Sequence, residues 1–285
     1  MSDQELNTCH FSFEGVKFDF LIGASEKIIT ENVVATGAWE QNQLCLYRGY
    51  LPDNGVMVDI GANVGVNSIF AQKRIPTATI HAIEASQDNF AVLSRNVEGA
   101  GINAHFLAIA DHDGKIRFAG SGTNAKISEN GVEVPSAKLD TFACDLTHID
   151  LLKIDVEGFT DVVLSGAAET LRKTRRAIVE FSIGDIQERF GGSVAVEEHF
   201  AQLLRSMAYP YVYYISRNDG LVKLDNASDL LEMLSIEHNV GDLLFSRQIE
   251  PSISFSGLLT RKIKTLMTHN HNLLVAVRRL DAKGS

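Results

Sequence analysis

Short apolar runs recur through the middle of the chain and alternate with segments of helical hydrophobic spacing. The runs predict β-strands near residues 56–60, 79–84, 103–109, 149–155 and 176–182. Strands that alternate with helices are typical of an α/β fold. We therefore predict a doubly wound, mostly parallel sheet with helices on both faces.

Other patterns flank this core. Alternating apolar residues over 8–22 predict a hairpin, and helical spacing between Thr36 and Tyr50 leads to a turn before the first core strand. Further predicted elements are a helix around 195–208 and strands at 211–215, 221–224 and 242–245. From Pro251 onward, leucines and basic residues recur at helical spacing. We divide the chain into an N-terminal addition (1–50), a core domain (51–250) and a basic amphipathic C-terminal helix (251–285).

Composition narrows the class of protein. The chain has 285 residues, 45% of them hydrophobic, which is enough for a large core, and its 3 cysteines are widely spaced and lack metal-binding patterns. A net charge of -10 argues against binding nucleic acid through a broad basic surface. Without a secretory signal or a long apolar segment, we expect a cytoplasmic protein.

A glycine turn follows the first core strand. Asp59 precedes Gly61, Asn63 and Gly65, and a helix begins directly after them. This strand–turn–helix pattern predicts a small-molecule site, because glycines let a ligand approach the backbone and helix N-termini present free N–H groups. Glu84 ends the next strand, where nucleotide-binding folds place a carboxylate for ribose. The third glycine of the dinucleotide pattern is missing, and Asp59 favours an ammonium or sulfonium over a pyrophosphate.

These motifs resemble FkbM-type S-adenosylmethionine-dependent methyltransferases across residues about 35 to 247. The resemblance is carried by segments 59–65 (DIGANVG), 81–84 (HAIE), 151–158 (LLKIDVEG) and 178–180 (IVE). It implies a class I methyltransferase-like, Rossmann-like fold with S-adenosylmethionine as cofactor. We expect the segment from Thr36 to Tyr50, which contains Trp39 and Glu40, to pack beside that cofactor. The implied cofactor-binding residues are Asp59, Gly61, Ala62, Asn63, Gly65, Glu84, Ala110 and Asp111. The chain departs from the family pattern at Ala85, usually Pro, and at Thr160, usually acidic but here followed by Asp161.

Three carboxylates are the candidate catalytic residues: Asp155, Glu157 and Glu180. Alternation along an extended strand predicts that Asp155 and Glu157 lie on the same side, and Glu180 ends another predicted strand. Such a pair can hold a substrate hydroxyl, share a proton so that one member acts as a base, or bind a divalent cation. We predict no metal site, since no histidine has metal-ligand spacing, and we interpret Lys153 as an ion-pair partner of these carboxylates.

Two segments have open roles. The glycine-rich stretch from Asp111 to Asp140 predicts a hairpin-bearing insertion, either a lid or a surface loop without substrate contact. The 251–285 helix can pack on its own core, build a homodimer or lie on an anionic membrane, of which the first two are favoured.

Taken with the resemblance, these features predict an O-methyltransferase that modifies a hydroxyl of a small molecule or sugar. The alternatives are an NAD-dependent enzyme of Rossmann fold and a non-catalytic protein that binds S-adenosylmethionine. The missing third glycine disfavours NAD, and the presence of Asp155 and Glu157 disfavours a protein without catalysis.

Overall fold

The computed structural model describes residues 5–24, 26–119, 126–127, 131–190, 192–236, 240–254 and 257–258. Its strands are β1 Leu6–Phe13, β2 Val16–Gly23, β3 Val56–Ile60, β4 Thr79–Glu84, β5 Ile102–Phe106, β6 Ala108–Ile109, β7 Gly114–Ala119, β8 Lys126–Ile127, β9 Val132–Ala137, β10 Ile149–Ile154, β11 Thr174–Ser182, β12 Tyr211–Ser216, β13 Gly220–Lys223, β14 Val240–Ser246 and β15 Ile253–Ser254.

The helices alternate with the strands of the core. They are α1 Lys27–Thr36, α2 Gln41–Tyr50, α3 Val66–Arg74, α4 Gln87–Asn96, α5 Leu139–Phe142, α6 Thr160–Ser165, α7 Ala168–Lys173, α8 Ile183–Phe190, α9 Gly192–Met207 and α10 Ala227–Ile236. Helix α4 shows why they form where they do: Ser86 caps its first turn, and Asp88 and Arg95 complement the helix dipole at opposite ends.

Among the described residues, the main sheet has nine strands in the order β15-β13-β12-β14-β11-β10-β3-β4-β5. Strands β5, β4, β3, β10 and β11 are parallel, whereas β14 runs antiparallel between β11 and β12. This arrangement confirms the predicted α/β fold with a large, mostly parallel sheet. The strand order reverses between β3 and β10, and open α/β sheets bind ligands in the crevice at such a point, beyond the carboxyl ends of the strands.

One predicted strand is two separate elements. The apolar run over 103–109 predicts a single strand, but β5 ends at Phe106. Residues Ala108 and Ile109 instead pair with β9 in a second, four-stranded sheet of order β6-β9-β7-β8. The chain leaves the main sheet at Leu107, because its next backbone partners lie in the insertion.

The predicted insertion contains the expected hairpin. Strands β7 and β9 pair antiparallel, with Gly114 opposite Ser136 and Phe118 opposite Val132. Strand β7 also contributes Ile116 and Phe118 to the wall of a large cavity. The insertion therefore forms part of this cavity in addition to the protein surface.

The N-terminal hairpin packs on the core. Strands β1 and β2 pair from Leu6 opposite Gly23 to Phe13 opposite Val16, as predicted. The ring of Phe11 lies 5.8 Å from that of Phe70 in α3. The Asn96 side chain of α4 accepts from Leu21 N and donates to the Leu21 carbonyl, at 2.7 and 2.9 Å. These contacts fix the N-terminal addition against the two helices that follow β3 and β4.

The glycine turn after β3 is shaped by packing of the protein against itself. Gly61 has φ of +81°, and a Cβ built on it would lie 1.7 Å from the backbone carbonyl oxygen of Asp155. Its N–H donates to Ile83 O at 3.0 Å, and Asp155 N donates to Ile60 O at 3.0 Å. The expectation that Gly61 makes room for a ligand is therefore incomplete, since the space beside its Cα holds the chain after β10.

The C-terminal prediction falls largely outside the described residues. Of the 251–285 segment, the structure describes 251–254, which include the short edge strand β15, and 257–258. Among the described residues, no helix is long and apolar enough to span a membrane.

The contact between Gly61 and Asp155 gives a prediction about stability. Gly61→Ala should lower the free energy of unfolding by roughly 1–2 kcal/mol for the left-handed backbone and by about 1–3 kcal/mol more for the clash. Gly15→Ala is the matched control, because Gly15 has the same φ of +81° and a Cβ added there would meet no atom within 4 Å. Urea unfolding followed by circular dichroism measures both. Equal losses in the two variants would show that the clash relaxes without cost.

Candidate active site

A cavity of about 1020 Å³, including its open mouth, lies at the carboxyl ends of β3 and β10. Its walls come from consecutive strand ends of the main sheet, namely residues 61–64 after β3, 83–85 at the end of β4, 107–109 after β5 and 155–157 after β10. The position agrees with the expectation for a reversal of strand order.

Most of the sequence-predicted site residues meet in this cavity. Those that line it are Gly61, Ala62, Asn63, Glu84, Asp155, Glu157 and Glu180. Those outside its lining are Asp59, Gly65, Ala110 and Asp111. The structure thus brings the three candidate catalytic carboxylates together with the candidate ribose carboxylate, and their individual roles remain predictions.

Asp59 and Gly65 lie behind the glycine turn. The Asp59 side chain is fully buried and accepts from Ser68 Oγ at 2.7 Å. Burial raises the pKa of Asp59, although Lys153 and the Ser68 hydroxyl counteract part of this effect. Gly65 caps α3 with φ of +93°, and a Cβ there would lie 2.6 Å from Leu93 Cδ1. Both residues therefore stabilise the glycine turn from its buried side.

Ala110 and Asp111 lie past the wall formed by residues 107–109. Ala110 is buried, and its N–H donates to Ala137 O at 2.9 Å. Asp111 is exposed and contacts His112 Nδ1 at 2.6 Å. The backbone enters the smaller, second sheet before it reaches Ala110 and Asp111. These two residues, which the resemblance implies as cofactor-binding, therefore lie beyond the cavity wall.

Glu84 is a buried carboxylate held by the backbone. Its Oε2 accepts from Asn63 N at 2.8 Å and its Oε1 accepts from Ser86 N at 2.7 Å. Burial raises the pKa of Glu84 to about 7, and these N–H groups oppose the shift. Each carboxylate oxygen can accept a second hydrogen bond. Glu84 is therefore oriented to accept from hydroxyl groups in the cavity.

Lys153 places one positive charge among the carboxylates of the cavity floor. Its Nζ lies 2.7 Å from Asp155 Oδ2 and 3.6 Å from Glu40 Oε2, and its side chain is only 3% exposed. Burial alone would lower the pKa of Lys153, but Asp155, Glu40 and Asp59 raise it well above its usual value. The predicted ion pair with Asp155 is confirmed, and Lys153 is a cation rather than a nucleophile.

Glu180 lies beside Asp155 among other carboxyl groups. Burial raises the pKa of Glu180 well above its usual value, and the nearby carboxylates of Asp155, Glu157 and Asp242 raise it further. A hydrogen bond to Asp155 contributes in the same direction. These effects favour the protonated form of Glu180, and the hydrogen bond brings its carboxyl group into contact with Asp155.

The geometry of Asp155 and Glu157 differs from the prediction. Strand β10 ends at Ile154, and Glu157 has φ of 49° and is followed by Gly158 with φ of 80°. Alternation along a strand therefore does not relate their side chains. A left-handed backbone at a residue other than glycine costs about 1–3 kcal/mol and is concentrated at functional sites. The sharp turn still brings both residues to the cavity wall.

Arg189 of α8 braces this turn. Its guanidinium donates to Asp161 at 2.6 Å and to the Gly158 carbonyl, and it lies 4.0 Å from the centre of the Phe159 ring. Phe159 lines the cavity. Asp161, the acidic residue beside the family departure at Thr160, thus forms a structural ion pair.

The N-terminal addition supplies cavity residues that were not among the predicted site residues, although the segment from Thr36 to Tyr50 was expected beside the cofactor. They are Ile29, Trp39 and Glu40. Asn67 of α3 joins them, because its Nδ2 donates to Glu40 Oε2 at 2.7 Å and its Oδ1 accepts from Tyr47 OH at 2.8 Å. The sequence signal was weak, since a single Trp-Glu pair at a predicted helix start has many structural explanations.

Metal binding was a third possible role for the carboxylates. Within the described part of the chain, no group of three or more His, Cys, Asp or Glu residues is arranged to hold a metal ion. The nearby imidazoles of His81 and His105 instead form a stacked pair, with Nδ1 and Nε2 3.1 Å apart.

Known proteins resemble the chain in sequence and in fold. Methyltransferase 1 of Beauveria bassiana is 27% identical over 147 residues, covering 40% of this chain and 59% of that protein, so the chain matches less than two thirds of this relative's length. A putative O-methyltransferase from Klebsiella pneumoniae has a TM-score of 0.42 at 14% identity, with 77% of this chain and 88% of that chain covered. A SAM-dependent methyltransferase from Agrobacterium tumefaciens has a TM-score of 0.45 at 10% identity, with 87% and 72% covered.

The residues of the cavity fit S-adenosylmethionine, which carries a ribose diol, an ammonium and a sulfonium. Glu84 offers a fixed acceptor for the diol. The buried Oδ1 of Asn63 has no hydrogen-bond partner in the described structure and can accept from the ligand. Carboxylates outnumber the single lysine among the described lining residues, which favours a cationic ligand. Apolar side chains such as Leu107 and Phe118 suit the flat base.

The match to a family model decides the assignment. The model of the methyltransferase FkbM domain matches residues 59–211, more than half of the chain, and this range contains the glycine turn, Glu84 and the three candidate catalytic carboxylates. The chain therefore belongs to the FkbM methyltransferase family, and its cofactor is S-adenosylmethionine.

Proposed function

We propose that the protein is an O-methyltransferase that transfers a methyl group to a hydroxyl of a small molecule or sugar. The observation that carries the proposal is the pair of Asp155 and Glu180 at the cavity wall. A neutral hydroxyl is a weak nucleophile, so its methylation is favoured by a nearby base that takes its proton. The two carboxyl groups are in hydrogen-bond contact, and their surroundings raise the pKa of Glu180.

Different residues of the cavity bind the cofactor and face the acceptor. Glu84, Asn63 and the turn at Gly61 hold the cofactor, while Asp155, Glu157 and Glu180 face the acceptor. When bound, S-adenosylmethionine supplies the methyl group, and its sulfur retains the electron pair of the broken carbon–sulfur bond. Asp155 accepts the hydroxyl proton as the acceptor oxygen forms its new bond to carbon. Lys153 stays protonated and fixes the orientation of Asp155 throughout.

The charge of the protein favours a small acceptor over nucleic acid. The net charge is -10, and the described cavity lining contains five carboxylate side chains and one lysine: Glu40, Glu84, Asp155, Glu157, Glu180 and Lys153. Phosphate groups near such a wall would be repelled. A neutral polyol meets no such barrier and can donate hydroxyl hydrogens to the carboxylates.

A transfer assay tests the substrate class. Methyl-labelled S-adenosylmethionine is incubated with the protein and with panels of sugars, hydroxylated small molecules and RNA. We expect label in the hydroxylated small molecules or sugars, at an ether carbon identified by mass spectrometry. Label on nitrogen, or only in RNA, would contradict the proposal.

Asp155→Asn tests the role of the acceptor-side pair. The change preserves size and removes the base, so kcat should fall by about 10²–10⁴-fold. Affinity for S-adenosylhomocysteine, measured by calorimetry, should stay within a few-fold because the cofactor side is unchanged. Asp145→Asn is the control, since Asp145 is exposed and lies outside the cavity. A large loss of cofactor affinity with unchanged kcat would instead place Asp155 on the cofactor side.

Glu84 predicts a pH dependence of cofactor binding. Its pKa is raised to about 7, so it gains a proton as pH falls below that value. The protonated form is the weaker acceptor for ribose hydroxyls. S-adenosylhomocysteine affinity should therefore be constant above about pH 8 and decrease several-fold toward about pH 6.

Glu84→Gln separates this effect from that of other groups. The variant should bind S-adenosylhomocysteine about 1.5–3 kcal/mol more weakly at pH 8, and without the pH dependence, because a charged acceptor is lost. Asp242, whose burial raises its pKa to about 7, is another group that titrates in this range. A pH dependence that persists in Glu84→Gln would assign it to such a group.

A further inference from the structure

Glu40 lies outside the stretch matched by the family model, yet its carboxylate belongs to the active-site cavity. It precedes α2 with φ of 52°, in the left-handed region, and its side chain makes no capping hydrogen bond to that helix, whereas its carbonyl accepts from Gln43 N and Leu44 N at 3.0 and 3.1 Å. Its side chain is 18% exposed. The backbone of Glu40 thus begins the helix while its carboxylate lines the cavity, and a left-handed backbone at a residue other than glycine is concentrated at functional sites.

Neighbouring side chains fix the position of that carboxylate. Tyr47 OH donates to Asn67 Oδ1 at 2.8 Å, which orients the Asn67 amide so that Nδ2 donates to Glu40 Oε2 at 2.7 Å. Gly37 connects this region to the N-terminal hairpin, because its carbonyl accepts from Ser12 N at 2.7 Å. The Glu40 carboxylate is thus held by Asn67, which Tyr47 orients, and the preceding backbone is fixed to the hairpin at Gly37.

The charge of Glu40 is only partly balanced within the protein. Lys153 Nζ lies 2.7 Å from Asp155 but 3.6 Å from Glu40, so the stronger ion pair is with Asp155. Burial raises the pKa of Glu40, Lys153 opposes this shift, and Asp155 adds to it. A cationic ligand in the cavity would supply the missing counter-charge.

We propose that Glu40 makes the site selective for the positively charged methyl donor over its neutral product. S-adenosylmethionine has a net charge of +1 at neutral pH, from its sulfonium, ammonium and carboxylate, whereas S-adenosylhomocysteine has a net charge of zero. Both ligands share the ribose and base, so contacts to Glu84 do not distinguish them. Methyl transfer removes the charge that Glu40 attracts, and the product is released more readily. The inference depends on the cofactor and not on the identity of the acceptor.

Calorimetric binding to the wild type and to Glu40→Gln tests the proposal. The ligands are S-adenosylmethionine, S-adenosylhomocysteine and sinefungin, in which an amine-bearing carbon replaces the sulfonium and keeps the positive charge. The variant retains a side-chain oxygen for Asn67. We expect the two cationic ligands to bind it about tenfold or more weakly, with S-adenosylhomocysteine affected by less than about threefold. Equal weakening of all three ligands would overturn the proposal.

Glu157→Gln is the matched comparison, because it removes the same charge from another carboxylate of the cavity wall. If the two variants lose the cation preference equally, total cavity charge and not Glu40 sets the selectivity, and the proposal is wrong. If Glu40→Gln does not fold, as judged by its thermal melt, Glu40→Asp serves instead. That variant keeps the negative charge but has a side chain shorter by one methylene. Its preference for the cationic ligands should therefore be smaller than that of the wild type but still measurable. An unchanged or abolished preference in a folded Glu40→Asp would also contradict the proposal.

Discussion

The site depends on one buried cation. Lys153 of β10 is 3% exposed, contacts Asp155 directly and lies in register with Asp59 on the neighbouring strand β3. Glu40 lies on its other side, 3.6 Å away. Like charges at such distances in a poorly hydrated interior repel strongly. Removing one partner of a buried ion pair strongly lowers the stability of the protein, because the other charge is left buried without compensation. The ammonium therefore allows three carboxylates from separate segments to lie close together, two of them, Asp155 and Glu40, in the cavity lining.

Sequence reasoning located the parts of the site that are local in the chain. The turn after β3, Glu84 at the end of β4 and Asp155 after β10 follow from one rule, that parallel strands present their carboxyl ends at one edge of the sheet. The segment that contains Trp39 and Glu40 was expected beside the cofactor, but the strand-end rule does not select these two residues as site residues. Their place in the cavity depends on a left-handed backbone at residue 40 and on docking of the hairpin by Asn96, neither of which leaves a periodic pattern.

Periodicity misled where the backbone leaves regular structure. The expectation that Asp155 and Glu157 share a strand face failed because β10 ends at Ile154 and residue 157 has positive φ. The run over 103–109 divides because Ala108 and Ile109 find backbone partners in β9 rather than in the main sheet. In both cases, tertiary hydrogen bonding outweighed the local pattern. Nevertheless, both segments whose structure was wrongly predicted contribute residues to the cavity wall.

The placement of β14 shows that the stretch matched by the family model does not contain all the strands that pair with its own strands. Residues 59–211 include β11, but β14 begins at Val240 and runs antiparallel between β11 and β12. A fragment ending at residue 211 would leave the full length of β11 without a partner on that side. An uncovered edge strand presents a row of open N–H and C=O groups to other chains and promotes aggregation. The later strands thus protect the sheet that holds Glu180 as well as extending it.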